Sequence, residues 1–200
     1  MNTTAATMLP LAGFTAPVDE AQAGFRLALD ALAQPGRVTA MPGSQELPPG
    51  LGRAMTGLLL TLADADTPVW LPPGVHPSVA AYLRFHCGCP LTGEAALAAF
   101  VAVPAGHAAP DLSQLAQGDP AYPDRSATLI LEVAGLARAP GVSLAGPGIP
   151  GRRELAVRGL PEGFWAEWKR NHQRFPLGVD VFFTQAEQLS GLPRSTIVES

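Results

Sequence analysis

The stretch Pro161 to Thr184 (PEGFWAEWKRNHQRFPLGVDVFFT) narrows the possible folds most, because it joins a two-faced helix to a strand with almost no polar side. At 100° per residue, Phe164, Trp165, Trp168, Asn171, His172 and Phe175 share one side; Ala166, Glu167, Lys169, Arg170, Gln173 and Arg174 share the other. Pro161 and Glu162 mark the start, where a missing N–H loses nothing and a carboxylate suits the positive helix end. Pro176 marks the stop, since its ring disfavours helical geometry at Phe175. Beyond Gly178, Val179-Asp180-Val181-Phe182-Phe183 reads as a strand covered on both faces. Two tryptophans and a phenylalanine on one helix bury a large area, so this helix is expected to lie flat on a sheet.

A chain of 200 residues fills one domain, burying roughly 70% of its unfolded surface. Helical and strand patterns interleave along its whole length, which predicts a layered α/β sandwich: a loose arm over residues 1–13, then a single domain over 14–200. Helices are expected over Asp19–Gln34 (apolar side Ala21, Phe25, Leu29, Leu32), Leu51–Ala63 and Pro77–His86, with one or two helical turns in Asp111–Gln117. Strands are expected at Arg37–Met41, Thr67–Leu71, Ala98–Val103, Thr128–Val133, Val142–Ala145 and Arg153–Val157, with a terminal edge strand over Leu192–Val198. Pro68 puts the Thr67–Leu71 strand at a sheet edge or marks its beginning.

Charge and cysteine content exclude several functions. A net charge of −4 argues against non-specific nucleic-acid binding, which depends on neutralising phosphates. Charged residues make up only 15% of the chain against 47% hydrophobic ones, which hints at a buried partner surface. No apolar run approaches a membrane span and no signal peptide is visible, so a reducing cytoplasm is the expected setting. Cys87 and Cys89 are too close in sequence for a disulfide framework. With His86 they form the one plausible metal cluster, but their spacing is wrong for structural zinc and His76, His107 and His172 are scattered; small buried apolar residues are the expected reading of the cysteines.

The remaining motifs fail on context. Gly146-Pro147-Gly148-Ile149-Pro150-Gly151 spells a dinucleotide loop, yet two prolines remove donors and an extended segment follows where a helix is needed. A tight turn between strands is expected, with a small anion nest around Gly148 beside Arg152 and Arg153 as the narrower alternative. Gly141-Val142-Ser143-Leu144-Ala145 nearly spells a nucleophile elbow but lacks the following helix. His172 reads as a packed, hydrogen-bonded histidine, Asp124 and Ser126 as turn residues, and Asp180 as a carboxylate satisfying backbone or an arginine. Arg125 is open to either an anion or a carboxylate partner. None of these makes a catalytic set, and no metal site is assigned.

The order of segments says more than any one of them. Phe25-Arg26 with Ala33-Gln34-Pro35-Gly36, then Thr61-Leu62-Ala63-Asp64 with Thr67-Pro68-Val69-Trp70-Leu71, then Phe85-His86, come first. Tyr122-Pro123-Asp124-Arg125-Ser126-Ala127-Thr128-Leu129, Gly146-Pro147-Gly148-Ile149, Asn171 with Phe175-Pro176-Leu177-Gly178-Val179-Asp180, and Leu192-Pro193-Arg194-Ser195-Thr196 follow. From about Phe14 to Thr196 the chain resembles the PhnH family, the H subunit of the bacterial carbon–phosphorus lyase system. Cys87-Gly88-Cys89 departs from the family's usual threonine, glycine and alanine run, so a metal role there would be private to this chain.

The resemblance implies a three-layer α/β/α sandwich with a mixed sheet, similar to pyridoxal-phosphate transferases but without the cofactor. It implies a homodimer and an accessory, non-catalytic place beside the G, I, J and L proteins. The shared step attaches the ribose triphosphate of ATP to an alkylphosphonate and releases adenine. Lys169, the sole lysine, lies on the polar helix face and does not suit a Schiff base. The resemblance carries over Asp124, Arg125, Gly146, Pro147, Gly148, Asn171 and Asp180 as binding or structural positions, with no catalytic residue and no cofactor. The alternative is a stand-alone phosphate- or phosphonate-binding protein or enzyme, using the Gly146–Gly148 turn and nearby arginines.

Overall fold

Prolines and glycines set the helix boundaries. The computed structural model, which describes residues 11–199, opens with helix α1, Pro17–Ala33. Asp19 and Glu20 occupy its first turn, and the Glu20 carboxylate accepts the Ala16 and Ser44 N–H groups, both at 2.8 Å. Those bonds, the Ala16 one foremost, hold the Glu20 carboxyl below its usual range. Strand β1 (Thr39–Ala40), helix α2 (Arg53–Leu62), strand β2 (Val69–Trp70), helix α3 (Pro77–Cys87) and strands β3 (Leu91–Thr92), β4 (Phe100–Val103) and β5 (Thr128–Glu132) follow. The second half comprises β6 (Gly135–Ala145), β7 (Arg153–Arg158), helix α4 (Phe164–His172), β8 (Asp180–Gln185), β9 (Gln188–Leu192) and β10 (Ile197–Glu199). Asp111–Gln117 contributes a single 3-10 turn at Leu112–Gln114.

The strands form a mixed seven-stranded sheet, ordered β1-β9-β8-β5-β4-β2-β3, and a three-stranded antiparallel sheet, β10-β6-β7. From β8 to β3 all neighbours are parallel; β9 runs antiparallel to β8, and β1 to β9. Helices α1, α2 and α3 cover one face, where Ala28, Met55 and Leu83 pack with Ala102, Ile130 and Phe182. On the other, α4 and the small sheet set Phe164, Trp168, Leu144 and Leu155 among Leu129, Val181 and Phe183. Successive residues of β5 and β8 thus enter opposite cores, which explains why both strands are apolar without interruption.

Several expectations shift. Helix α4 begins after Gly163, so Pro161 and Glu162 precede it and Glu167 is its first-turn carboxylate. It ends at His172, ahead of Pro176, and leaves Phe175 59% exposed outside the core. The early end follows from Asn171, whose side chain bonds both backbone groups of Val179 (2.9 Å each) and requires the chain to turn back at once. Helix α1 buries Gly24, Ala28 and Ala31 and leaves Phe25 and Leu29 exposed, reversing the face expected to be internal. Close approach favours the small side: a Cβ on Gly24 would stand 2.5 Å from Thr61 Oγ1 of α2.

Strand β2 is interior, between β3 and β4, with Pro68 just ahead of it. Leu192–Val198 is not one strand, because Pro193–Thr196 turns the chain from the large sheet to the edge of the small one. Residues 1–10 of the arm expected over 1–13 lie outside the described residues. The rest of it is tied down: Ala12 N–H donates to Glu46 (2.7 Å), and Tyr82 and His86 donate to the Ala12 and Leu11 carbonyls. Among the described residues no helix is long and apolar enough to cross a membrane.

Candidate functional site

Four of the sequence-selected residues, Asp124, Arg125, Asn171 and Asp180, lie where β5 and β8 begin. Thr128 and Asp180, the first residues of these strands, are register partners, and Arg194 arrives beside them from the turn after β9. Asp180 Oδ1 accepts the Arg194 backbone N–H (2.7 Å) and Nε (3.1 Å), and Oδ2 accepts Nη2 (2.6 Å). Arg194 Nη1 donates to the Pro123 and Pro176 carbonyls, and Nη2 also donates to the Ser126 hydroxyl. A guanidinium has five N–H donors, and these contacts use all five. The pair is therefore a brace across the amino ends of the parallel strands, with no donor left over for a ligand.

The same segment is gripped from α4. His172 Nδ1 donates to the Arg194 carbonyl (2.9 Å), and Trp168 Nε1 donates to the Thr196 carbonyl (3.0 Å). Asn171 completes the edge by standing in for a strand partner of Val179. Asp124 and Arg125 lie exposed in the 3-10 turn Pro123–Arg125, whose Pro123 carbonyl is one of the Arg194 contacts. Arg125 stacks over the Tyr122 ring, 4.0 Å from its centroid, and among the described residues forms no ion pair with Asp124. Asp180, Asn171 and the Pro123–Ser126 turn are thus brought together. Arg194, the partner that Asp180 shares with the Pro123–Ser126 turn, was visible in sequence only as part of the Leu192–Thr196 segment.

Gly146, Pro147 and Gly148 sit in the turn between β6 and β7, as the prolines require. Gly146 backs onto the Ser195 carbonyl, and Gly148, at φ +77°, lies against the end of α1, where a Cβ would stand 1.9 Å from the Ala33 carbonyl. That close packing leaves no room for a phosphate between the turn and α1. Arg153 caps α1, its Nη1 donating to the Gln34 (3.0 Å) and Pro35 (2.6 Å) carbonyls, while Arg152 pairs with Glu199.

The cysteines are packed thiols: Cys89 is buried, and the Cys87 and Cys89 Sγ atoms face the Leu59 and Leu83 carbonyls. The hydrogen bond between the two thiols, with burial behind it at Cys87, pushes the Cys87 thiol up and draws the buried Cys89 thiol down to about 7. His76 and His107, scattered in sequence, line one groove of about 280 Å³ on the loops after β2 and β4. These are carboxyl ends of parallel strands, where open α/β sheets take ligands. Two imidazoles fall short of a zinc shell. Among the described residues no three His, Cys, Asp or Glu side chains are grouped to hold a metal ion.

Fold and site together define an α/β protein with a mixed sheet, an appended antiparallel sheet and a polar brace built from its most distinctive segments. The pattern of the bacterial phosphonate metabolism protein PhnH matches residues 12–199. The chain belongs to the PhnH family. It is 38% identical over 197 residues, 98% of each chain, to the alpha-D-ribose 1-methylphosphonate 5-triphosphate synthase subunit PhnH of Rhizobium meliloti (strain 1021). It is 30% identical over 178 residues to HtxG of Stutzerimonas stutzeri, which carries the provisional name of a C-P lyase subunit protein; the match covers 88% of this chain and 84% of that one.

Proposed function

We propose that this chain is the H-type accessory subunit of a carbon–phosphorus lyase system. In this role it supports transfer of the ribose triphosphate of ATP to an alkylphosphonate with loss of adenine, without carrying the reactive groups itself. The observation that carries the reading is the 38% identity, spread over 98% of both chains, to a relative named as a subunit of the triphosphate synthase. The brace agrees with it, since Asp180, Arg194, Asn171 and His172 spend their polar groups on neighbouring segments.

In this reading the fold is a three-layer α/β/α sandwich of the pyridoxal-phosphate transferase type working without the cofactor. Lys169 suits that absence, being exposed on α4. A homodimer in the cytoplasm, working with the G, I, J and L proteins, completes the proposal. Support for docking comes from α1, which presents Val18, Phe25 and Leu29 to solvent at 83%, 49% and 52% exposure. Exposed apolar side chains of this size, grouped on one helix, are the usual mark of an association surface.

The test is genetic and biochemical. A strain lacking this chain should fail to grow on methylphosphonate as sole phosphorus source and recover with the full chain. The tagged G, I and J proteins should retain it through purification. Growth without it, or its loss from the assembly under all conditions, would overturn the reading.

A further inference from the structure

The antiparallel sheet carries a positively charged groove that the brace does not use. Along β6 and β7, Ala137 pairs with Ala156 and Val142 with Leu155, so Arg138 to Gly141 bulge out with no residues opposite. A bulge re-aims side chains at the rim of a sheet. This one is held by the Gly141 N–H donating to Glu154 at 3.3 Å. Between the bulge and the start of β7 lies a groove of about 520 Å³, lined by Arg138, Pro140, Pro150, Arg152, Arg153 and Glu154. That volume suits a small ligand, and proline on both sides makes its walls stiff.

The groove keeps a positive balance, with Arg138, Arg152 and Arg153 set against Glu154 in its wall and Glu199 beside Arg152. Arg153 is fixed by one nitrogen to the end of α1, which leaves Nε and Nη2 uncommitted among the described residues. Burial first, then the nearby Arg138 charge and that of Arg37 outside the groove, lower the Arg153 guanidinium from its ordinary value. Glu154, which lines the groove, and Glu199 both raise the Arg152 guanidinium from its ordinary value, Glu199 foremost, so two carboxylates offset part of the charge; the Arg152–Glu199 side chains are 60% and 50% exposed, a weak and exchangeable contact.

We propose that this groove binds an oligophosphate, with Arg138, Arg152 and Arg153 as its forks. Planar guanidinium forks match phosphate oxygens, and several forks around one cleft favour successive phosphate groups over a single one. The net charge of −4 on the whole chain disfavours a long nucleic acid, which needs an extended basic surface. The choice of a triphosphate end, as on ATP or a ribose triphosphate, rests on the function proposed above; the groove and its charge do not.

The test is calorimetric titration of the purified full chain, at low salt, with tripolyphosphate, ATP, AMP and a single-stranded oligonucleotide. Tripolyphosphate and ATP should bind saturably, and AMP at least about tenfold more weakly. Arg138→Ala should weaken tripolyphosphate about tenfold, equivalent to ~1.4 kcal/mol. Glu199→Gln should tighten it severalfold by releasing Arg152, an effect that a purely structural role for Glu199 would not produce. Because Arg138 is exposed, its loss should leave the circular dichroism spectrum unchanged; if it does not, Glu199→Gln still decides the matter. No saturable tripolyphosphate binding, equal binding by Arg138→Ala, no gain in Glu199→Gln, or preference for AMP or the oligonucleotide would each overturn the site. Failed assembly with the other lyase proteins would leave these titrations untouched, so the two proposals fail separately.

Discussion

Replacing Asp180 with alanine removes the carboxylate on which the brace turns. Three Arg194 donors lose their acceptor, and an arginine that is largely buried is left facing two carbonyls and a hydroxyl. Breaking a buried ion pair from one side costs about 3–5 kcal/mol. The two side chains keep 19% and 13% exposure, so modest solvent screening brings the expectation to about 2–4 kcal/mol. In a protein of this size that lowers Tm by roughly 4–16 °C. Urea unfolding followed by tryptophan fluorescence is well placed to read it, because Trp168 bonds the Thr196 carbonyl on the same segment. Asp180→Asn should lose less, since its amide oxygen can still accept the Arg194 backbone N–H. Arg194→Ala should match Asp180→Ala, and the double variant should fall short of the summed losses by about 1–3 kcal/mol. A Asp180→Ala loss within about 0.5 kcal/mol of zero, or strictly additive losses, would refute the brace.

Two further outcomes follow from the turn after β6 and from the start of α1. Gly148→Ala should destabilise far more than Gly151→Ala in thermal melts: both residues have φ near +75°, costing an L-residue about 1–2 kcal/mol, but only Gly148 also meets the Ala33 carbonyl. Glu20 has a folded pKa below its unfolded one, so its contribution is present above the unfolded value of about 4.3 and fades as pH falls through the folded value. Glu20→Gln should therefore lower stability at neutral pH and flatten its decline below about pH 5, and melts with the same slope in both proteins would contradict that assignment.

Periodicity revealed the helices and the central strands because those elements have a core to face. Thr128–Val133 and Val179–Phe183 could be read as buried strands before any topology was known, since helices on one side and α4 on the other leave no polar face. Strand β9 stayed hidden: Gln188-Leu189-Ser190-Gly191-Leu192 lacks the β-branched and aromatic residues that mark strands, and its Gly191 permits close approach to Ala31 of α1. Helix α1 misled for the converse reason, as Val18, Phe25 and Leu29 face solvent while Gly24, Ala28 and Ala31 are buried, with Leu27 and Leu32 only partly covered beside them. The site was legible in part. Asp180 was read correctly as a carboxylate serving backbone or an arginine, but nothing in the sequence selects Arg194 from twelve arginines. Only the turn at Pro193–Thr196 does so, by bringing it to the amino ends of the two strands.

The brace also has a place in time. A ribosome delivers Pro123, Ser126 and Asp180 first, and Arg194 follows Asp180 by 14 residues. The seam between the amino ends of β5 and β8 thus cannot be clasped until Arg194 has been made, which puts the clasp among the last steps of folding.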